Sequence, residues 1–239
     1  MAYIQRLHKE HHHNLGSRRM TLYINHETHY HVNHKRVHRL MLRQNIRADI
    51  RRKRPDRKRS VAEHIEANKM NREFTTEKAN EKWATDLSQL SYGPKKEYKV
   101  WLSAIIDLYC NSILRWQLNH SGDTNEVKAT FEGAFKIAPG VHSMVQTDRG
   151  ALYTSREFGP YVTAHELNHS MSRVGKCIDN GCIEKFWGLL KDEWFRKNHC
   201  DTFEELQKGV EDYIHYYNTR RRQERLNSLT PEEYRNQAI

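Results

Sequence analysis

KWATDLSQL at Lys82–Leu90, YKVWLSAIID at Tyr98–Asp107 and NSILRWQLN at Asn111–Asn119 are the stretches that decide the fold. Each is a short run with branched or aromatic residues, bounded by turn formers, and reads as a strand. Gly93-Pro94 separates the first two, and a tight connection near Tyr109 joins the second to the third. Working outward, Asp123–Ile137 has helical periodicity. Asp123 or Thr124 serves as its cap, and Val127, Phe131, Ala134 and Phe135 share its inner face. Ser143–Thr147 reads as a strand, Ser155–His165 as a helix and His169–Met171 as a brief strand. Asn180–Trp194 and Thr202–Asn218 read as helices. Thr230 then caps a last helix with Pro231 at its first position.

Three strands, then helix, strand, helix, strand, helix is the order of a ribonuclease-H-like α/β fold, a mixed five-stranded sheet with flanking helices. The sequence divides into residues 1–46, a small helical region; 47–77, a basic linker; and 78–239, the core with its C-terminal helices. In the first region Ser17 caps one helical pattern and Asn33 a second. Val37, Leu40 and Met41 recur at i, i+3 and i+4, while Lys35, Arg36, Arg39 and Arg43 fall largely elsewhere on that helix. A short helix, a turn and a basic second helix describe a helix-turn-helix whose second helix enters the DNA major groove. A plain basic surface helix has the same pattern. In the linker, the run from Arg51 to Arg59 repels itself and contains Pro55, which argues against a packed element. Arg51, Arg52, Lys53 and Arg54 would lie along a phosphate backbone.

The net charge of +10 is concentrated at the front. Residues 1–72 hold 18 Lys/Arg against 6 Asp/Glu, a balance of +12; the remainder holds 22 against 24, or −2. A polyanion partner bound through phosphates fits that asymmetry. The longest apolar run, Val100–Cys110, is broken by Ser103 and Asp107 and falls well short of the roughly 20 residues of a membrane span. No apolar signal region follows the basic, histidine-rich start. A soluble cytosolic protein is the expectation. Four cysteines form no CxxC pair, and none precedes Cys110, so a His/Cys zinc module is excluded from the histidine-rich front.

Asp86 lies on the first strand, and Val145-Gln146-Thr147-Asp148-Arg149-Gly150 is a strand ending in an acid and a glycine turn. Thirty-five residues separate Asp148 from Glu184, which sits on a helix with Lys191 almost two turns further on. In this fold the first and fourth strands are neighbours at the sheet centre, so Asp86 and Asp148 can share a cation, with Glu184 supplied from the adjacent helix. Carboxylates without enough nearby Cys or His suit Mg²⁺, and Mn²⁺ fits the same ligands. Two such ions, roughly 3.5–4 Å apart, would activate an attacking oxygen and stabilise a leaving one in phosphodiester displacement. Lys191 would hold a substrate phosphate, and Asn180, on the same helical face, would bond a ligand or strand. An ordinary exposed Glu184/Lys191 pair is the bland alternative. Asp107 reads as structural, Asp179 as a helix cap and Glu193 as pointing to another face. The cluster Tyr213, Tyr216, Tyr217, Asn218, Arg220, Arg221 and Arg222 either packs the last long helix or stacks on bases and holds phosphates.

Several motifs together resemble insertion-sequence transposases. They are Trp83-Ala84-Thr85-Asp86, Thr147-Asp148-Arg149-Gly150 with Tyr153-Thr154-Ser155, Ser172-Arg173-Val174-Gly175 leading to Asp179-Asn180-Gly181-Cys182-Ile183-Glu184, and Tyr217-Asn218-Thr219-Arg220-Arg221 running into Leu229-Thr230-Pro231-Glu232-Glu233-Tyr234. The likeness runs from about Gly16 to Tyr234 and is greatest to second-reading-frame products of elements with two overlapping frames, whose cores are similar to retroviral integrases. The resemblance implies Asp86, Asp148 and Glu184 as metal ligands and Lys191 as a DNA contact. It implies strand cleavage at element ends followed by strand transfer, on double-stranded DNA of element ends and target, by a homo-multimer holding paired ends. The upstream-frame product is an implied partner, and a shortened or standalone form is the expectation for this chain. A non-catalytic DNA-binding regulator and a structure-selective nuclease of the same fold are the alternatives.

Overall fold

The computed structural model describes residues 2–49, 68–71, 73–173 and 180–237. Three helices lead, α1 (Ala2–Glu10), α2 (Ser17–Glu27) and α3 (His34–Arg43). The core follows as β1 (Lys82–Tyr92), β2 (Tyr98–Asp107), β3 (Ile113–Asn119), α4 (Thr124–Ile137), β4 (Met144–Thr147), α5 (Phe158–Ala164) and β5 (Asn168–Met171). It closes with α6 (Gly181–Leu190), a π-turn at Lys191–Phe195, α7 (Phe203–Thr219) and α8 (Pro231–Asn236). The sheet order is β3-β2-β1-β4-β5, an antiparallel meander extended by two parallel strands. This is the expected mixed five-stranded sheet, with β1 at its centre. No helix among the described residues is long and apolar enough to cross a membrane.

Strand alternation divides the core into two layers. Trp83 and Ile105 meet Val127, Phe131 and Ala134 of α4 and Phe158 and Val162 of α5 on one face. Ala84, Ala104 and Ile106 meet Ile183, Phe186 and Leu190 of α6 and Leu206, Val210 and Tyr213 of α7 on the other. Phe131 and Phe158 are fully buried, each contributing roughly 1.5–3 kcal/mol. The helices are closed by their side chains: Asp123 accepts from the Asn125 and Glu126 N–H groups, and Thr230 and Glu233 form a reciprocal capping box. Some boundaries move. Asn111 adopts φ 57°, so β3 starts at Ile113 rather than Asn111. Turns occupy residues 151–157, so α5 starts at Phe158 rather than Ser155.

The front region contains three helices where the periodicity indicated two. α1 is held by Ile4 and Leu7, which join Leu15, Met20, Tyr23, Val37 and Met41 in a separate small core. Gly16, not Ser17, stands at the N-cap of α2; Asn33 does cap α3, accepting from the Lys35 N–H. In the segment read as linker, Met70 is buried in the sheet core and its N–H donates to Ser170 Oγ. Arg51, Arg52, Lys53 and Arg54 lie outside the described residues, as does Asp179.

Glu193 ties the front region to the core. It does point away from Glu184, into a buried site between α2 and α7. There it accepts from Arg19 at 2.8 Å, from Arg221 at 2.8 and 3.0 Å and from the Tyr213 hydroxyl at 3.1 Å. Burial alone would raise its carboxyl; Arg221, then Arg19, overcome that and bring it down to about 2. Beside it Asn14 donates to the Glu193 carbonyl at 3.1 Å, and the Tyr23 hydroxyl to the Arg220 carbonyl at 2.8 Å.

Candidate active site

β1 and β4 pair in parallel with Trp83 opposite Val145 and Ala84 opposite Gln146. Two residues further along each chain come Asp86 and Asp148. The period of two therefore carries both acids to the α6 side of the sheet, where Ala84 already packs. Asp86 Oδ2 accepts the Trp187 indole N–H at 3.1 Å. Burial first, and then the Asp148 charge, push the Asp86 carboxyl up to about 7; Glu184 adds to the push. Asp148 Oδ1 accepts the Gly150 N–H at 2.7 Å. A Cβ on residue 150 would stand 2.8 Å from that oxygen, so any larger residue there would push the Asp148 carboxylate aside.

Glu184 lies in the first turn of α6 and is exposed. Among the described residues, no three His, Cys, Asp or Glu side chains stand close enough to hold one metal ion together. Asp86 and Asp148 thus form an inner pair, with Glu184 felt electrostatically from the rim. The donor set fits a hard divalent cation: it is all carboxylate, and the mutual repulsion that lifts Asp86 is what a cation would relieve.

Lys191 opens the π-turn directly after α6. Burial lowers its amine, Arg196 lowers it further, and the Asp86 charge pulls it back up. The continuous helix expected over Asn180–Trp194 is thus an α-helix to Leu190 and a π-turn beyond. Asn180 is buried, and its Nδ2 reaches the Thr85 carbonyl of β1 at 3.5 Å; its side chain does not cap α6. Lys35, Arg36, Arg39 and Arg43 are exposed on α3, away from buried Val37 and Met41.

Asp107 is structural. It is buried, accepts from the Asn80 and Tyr109 N–H groups and pairs with Arg235 at 3.0 Å. The C-terminal aromatic and basic cluster packs: Tyr213, Tyr217 and Arg221 are buried, and Asn218 brackets the Ile113 backbone with two hydrogen bonds. Two neighbours of the acids were given no role of their own in the sequence. Tyr153 is buried near Asp86 and Asp148, its phenol pushed far up by burial and then by Asp86. Trp187 sits three residues after Glu184, a spacing that would have marked it.

Family models match three stretches of the chain. One described as an HTH-like domain matches residues 1–54, and two described as integrase core domains match 76–177 and 184–239. The putative transposase InsK for insertion sequence element IS150 of Escherichia coli K12 is 37% identical across 93% of this chain and 77% of InsK. The chain belongs to the insertion-sequence transposases. A transposase-like protein of Haemophilus influenzae is 32% identical across 87% of this transposase and 95% of its own length. Transposase InsF for insertion sequence IS3A of Escherichia coli K12 is 29% identical, covering 88% and 73%. Among solved structures, the HTLV-2 integrase catalytic core domain in complex with magnesium superposes with a TM-score of 0.53 at 19% identity, covering 66% of this chain and 97% of that one. A chain of the simian T-cell lymphotropic virus intasome in complex with PP2A regulatory subunit B56 gamma gives 0.55 at 17% identity, covering 97% and 74%. These likenesses establish the fold as that of retroviral integrase cores.

Proposed function

We propose that this transposase cuts the ends of its element and joins them to target DNA, a metal-dependent polynucleotidyl transfer in which Asp86, Asp148 and Glu184 are the metal ligands. The observation that carries the reading is the register of β1 and β4, which delivers Asp86 and Asp148 to matching positions beside the helix of Glu184. Mg²⁺, or Mn²⁺ in its place, two ions per site, would supply Lewis acidity at the scissile phosphodiester and ease deprotonation of the attacking hydroxyl. The oxygen of water, and later of a 3′ end, attacks phosphorus; one P–O bond forms, one breaks, and the proton goes to solvent. Asp86 and Asp148, fixed to a rigid sheet, set the geometry. Lys191 holds the substrate phosphate, while Asn180, buried against the Thr85 carbonyl, fixes the start of α6 on β1 instead of meeting DNA. Lys35, Arg36, Arg39 and Arg43 of α3, with Arg51, Arg52, Lys53 and Arg54, grip the duplex end. The magnesium complex of the HTLV-2 integrase core supports the metal assignment, and its dimeric and trimeric forms support action as a homo-multimer, which would hold paired ends. The product of an upstream frame is a further partner, and the bacterial cytoplasm the place of action.

The test uses duplex oligonucleotides carrying the terminal repeats that flank the coding region, incubated with the transposase and Mg²⁺. Nicked ends and strands joined to a second duplex are expected, and EDTA abolishes both. Asp148→Asn and Glu184→Gln lose both products while still retarding the duplex. Products that persist in either variant sink the assignment; nicks without joining indicate a nuclease, and binding without nicks a regulator.

A further inference from the structure

α6 and the turn after it present one row to β1: Glu184, Trp187 and Lys191, at i, i+3 and i+7. The outer two carry charge. The middle one is buried, 6% exposed, and its indole Nε1 donates to Asp86 Oδ2 at 3.1 Å. Indole is a donor only, so it cannot compete with the carboxylate for a cation. The ring is itself held, packing against Phe186 at 5.1 Å between centroids, while Phe186 packs against Tyr217 of α7 at 4.9 Å. The other hold on the Asp86 carboxylate is local, from the Leu87 N–H. A carboxylate on a strand turns about its Cβ–Cγ bond unless something stops it, and here the stop is supplied by the helix that bears Glu184.

We propose that Trp187 is a positioning residue for DNA cleavage and joining: its N–H pins Asp86 Oδ2 and so fixes the orientation in which this carboxylate would meet a divalent cation. This rests on the reading of Asp86 as a metal ligand. It also gives α6 a second task, since the helix that delivers Glu184 orients the acid on the central strand, so a shift of α6 is felt at two ligands together. A partner that orients a ligating carboxylate contributes about 10–100-fold to metal affinity, and a single neutral donor belongs at the lower end. Burying an indole N–H also demands an acceptor, so a merely structural bond would have the same geometry; the metal response separates the two.

The experiment uses the full chain labelled with ¹⁵N-tryptophan, which has five indole N–H correlations, that of Trp187 being assigned through its own backbone amide. Asp86→Asn is expected to move this correlation more than the other four, and Mg²⁺ alone to move it saturably in the parent protein. Trp187→Phe, which keeps a ring in place, is expected to melt near the parent and to bind Mn²⁺ about tenfold more weakly by calorimetry. Parent-like Mn²⁺ binding by Trp187→Phe, with binding lost in Asp86→Asn, overturns the role of Trp187 alone. Parent-like binding by Asp86→Asn overturns the metal reading beneath it. Should Trp187→Phe not fold, an indole correlation that ignores both Asp86→Asn and Mg²⁺ overturns the proposal without it.

Discussion

Replacing Glu193 with Gln changes one atom in a buried ion cluster and exposes how much the cluster contributes. The carboxylate holds Arg221, whose side chain is 7% exposed, and Arg19, and it receives the Tyr213 hydroxyl. Its folded pKa of about 2, against 4.5 for an ordinary glutamate, corresponds to about 3 kcal/mol at 1.36 kcal/mol per unit. That agrees with the 3–5 kcal/mol lost when one partner of a buried pair is removed. At about 2–4 °C per kcal/mol for a chain of this size, the melting temperature falls by roughly 6–12 °C at pH 7. The pH dependence has a fixed sign. A depressed carboxylate stabilises the fold above its unfolded pKa and loses that contribution as pH falls through the folded one. The gap between parent and Glu193→Gln should therefore be constant above about pH 5, roughly halved near pH 3, and closed below pH 2. Urea unfolding of both proteins across this range is the assay. Equal stability at pH 7, or a gap that does not narrow on acidification, would falsify the account.

Two further changes test other parts of the packing. A Cβ on Gly209 of α7 would overlap the Trp194 ring, whereas Gly188 on α6 has open space around it. Gly209→Ala should cost about 1–3 kcal/mol and Gly188→Ala should stabilise by about 0.5–1 kcal/mol; denaturation midpoints moving in the same direction would refute the placement of Trp194. Glu126 is buried in the first turn of α4, with no well-formed hydrogen bond to either oxygen among the described residues, and burial lifts its carboxyl to about 7. A raised carboxyl costs stability as pH climbs from its ordinary 4.5 to that value, so Glu126→Gln should match the parent below about pH 4.5 and exceed it by roughly 1–3 kcal/mol at pH 8; a constant offset across that range counts against the buried acid.

The meander and its helices were readable because each strand and helix carries its own period. Val127, Phe131 and Ala134, or Val37 and Met41, advertise a buried face without knowledge of what covers it. The nearness of Asp86 and Asp148 was readable for a similar reason: one lies within a strand-like run and the other follows the end of one, and element order alone makes those strands neighbours. What escaped depends on distant parts of the chain. α1 has only Ile4 and Leu7 as an inward edge and no side-chain cap to announce it. Helical geometry correctly turned Glu193 away from Glu184, but its burial follows from Arg19 and Arg221, at separations of 174 and 28 residues. The break from α-helix to π-turn after Leu190 and the bond from Trp187 to Asp86 are likewise products of packing. No local pattern encodes them.

The clasp between Arg19 and Glu193 also has a consequence in time. A ribosome places 174 residues between them, and at about 5–20 residues per second that takes roughly 10–35 s. For most of that interval α1, α2 and α3 have been made while Glu193, Arg220 and Arg221 do not yet exist. The small core of Ile4, Leu15, Met20 and Val37 must hold the front of the protein unaided. Every nascent molecule thus passes through a period in which the face of the front region that meets Glu193 and Arg220 is uncovered, and docking waits for the end of α7.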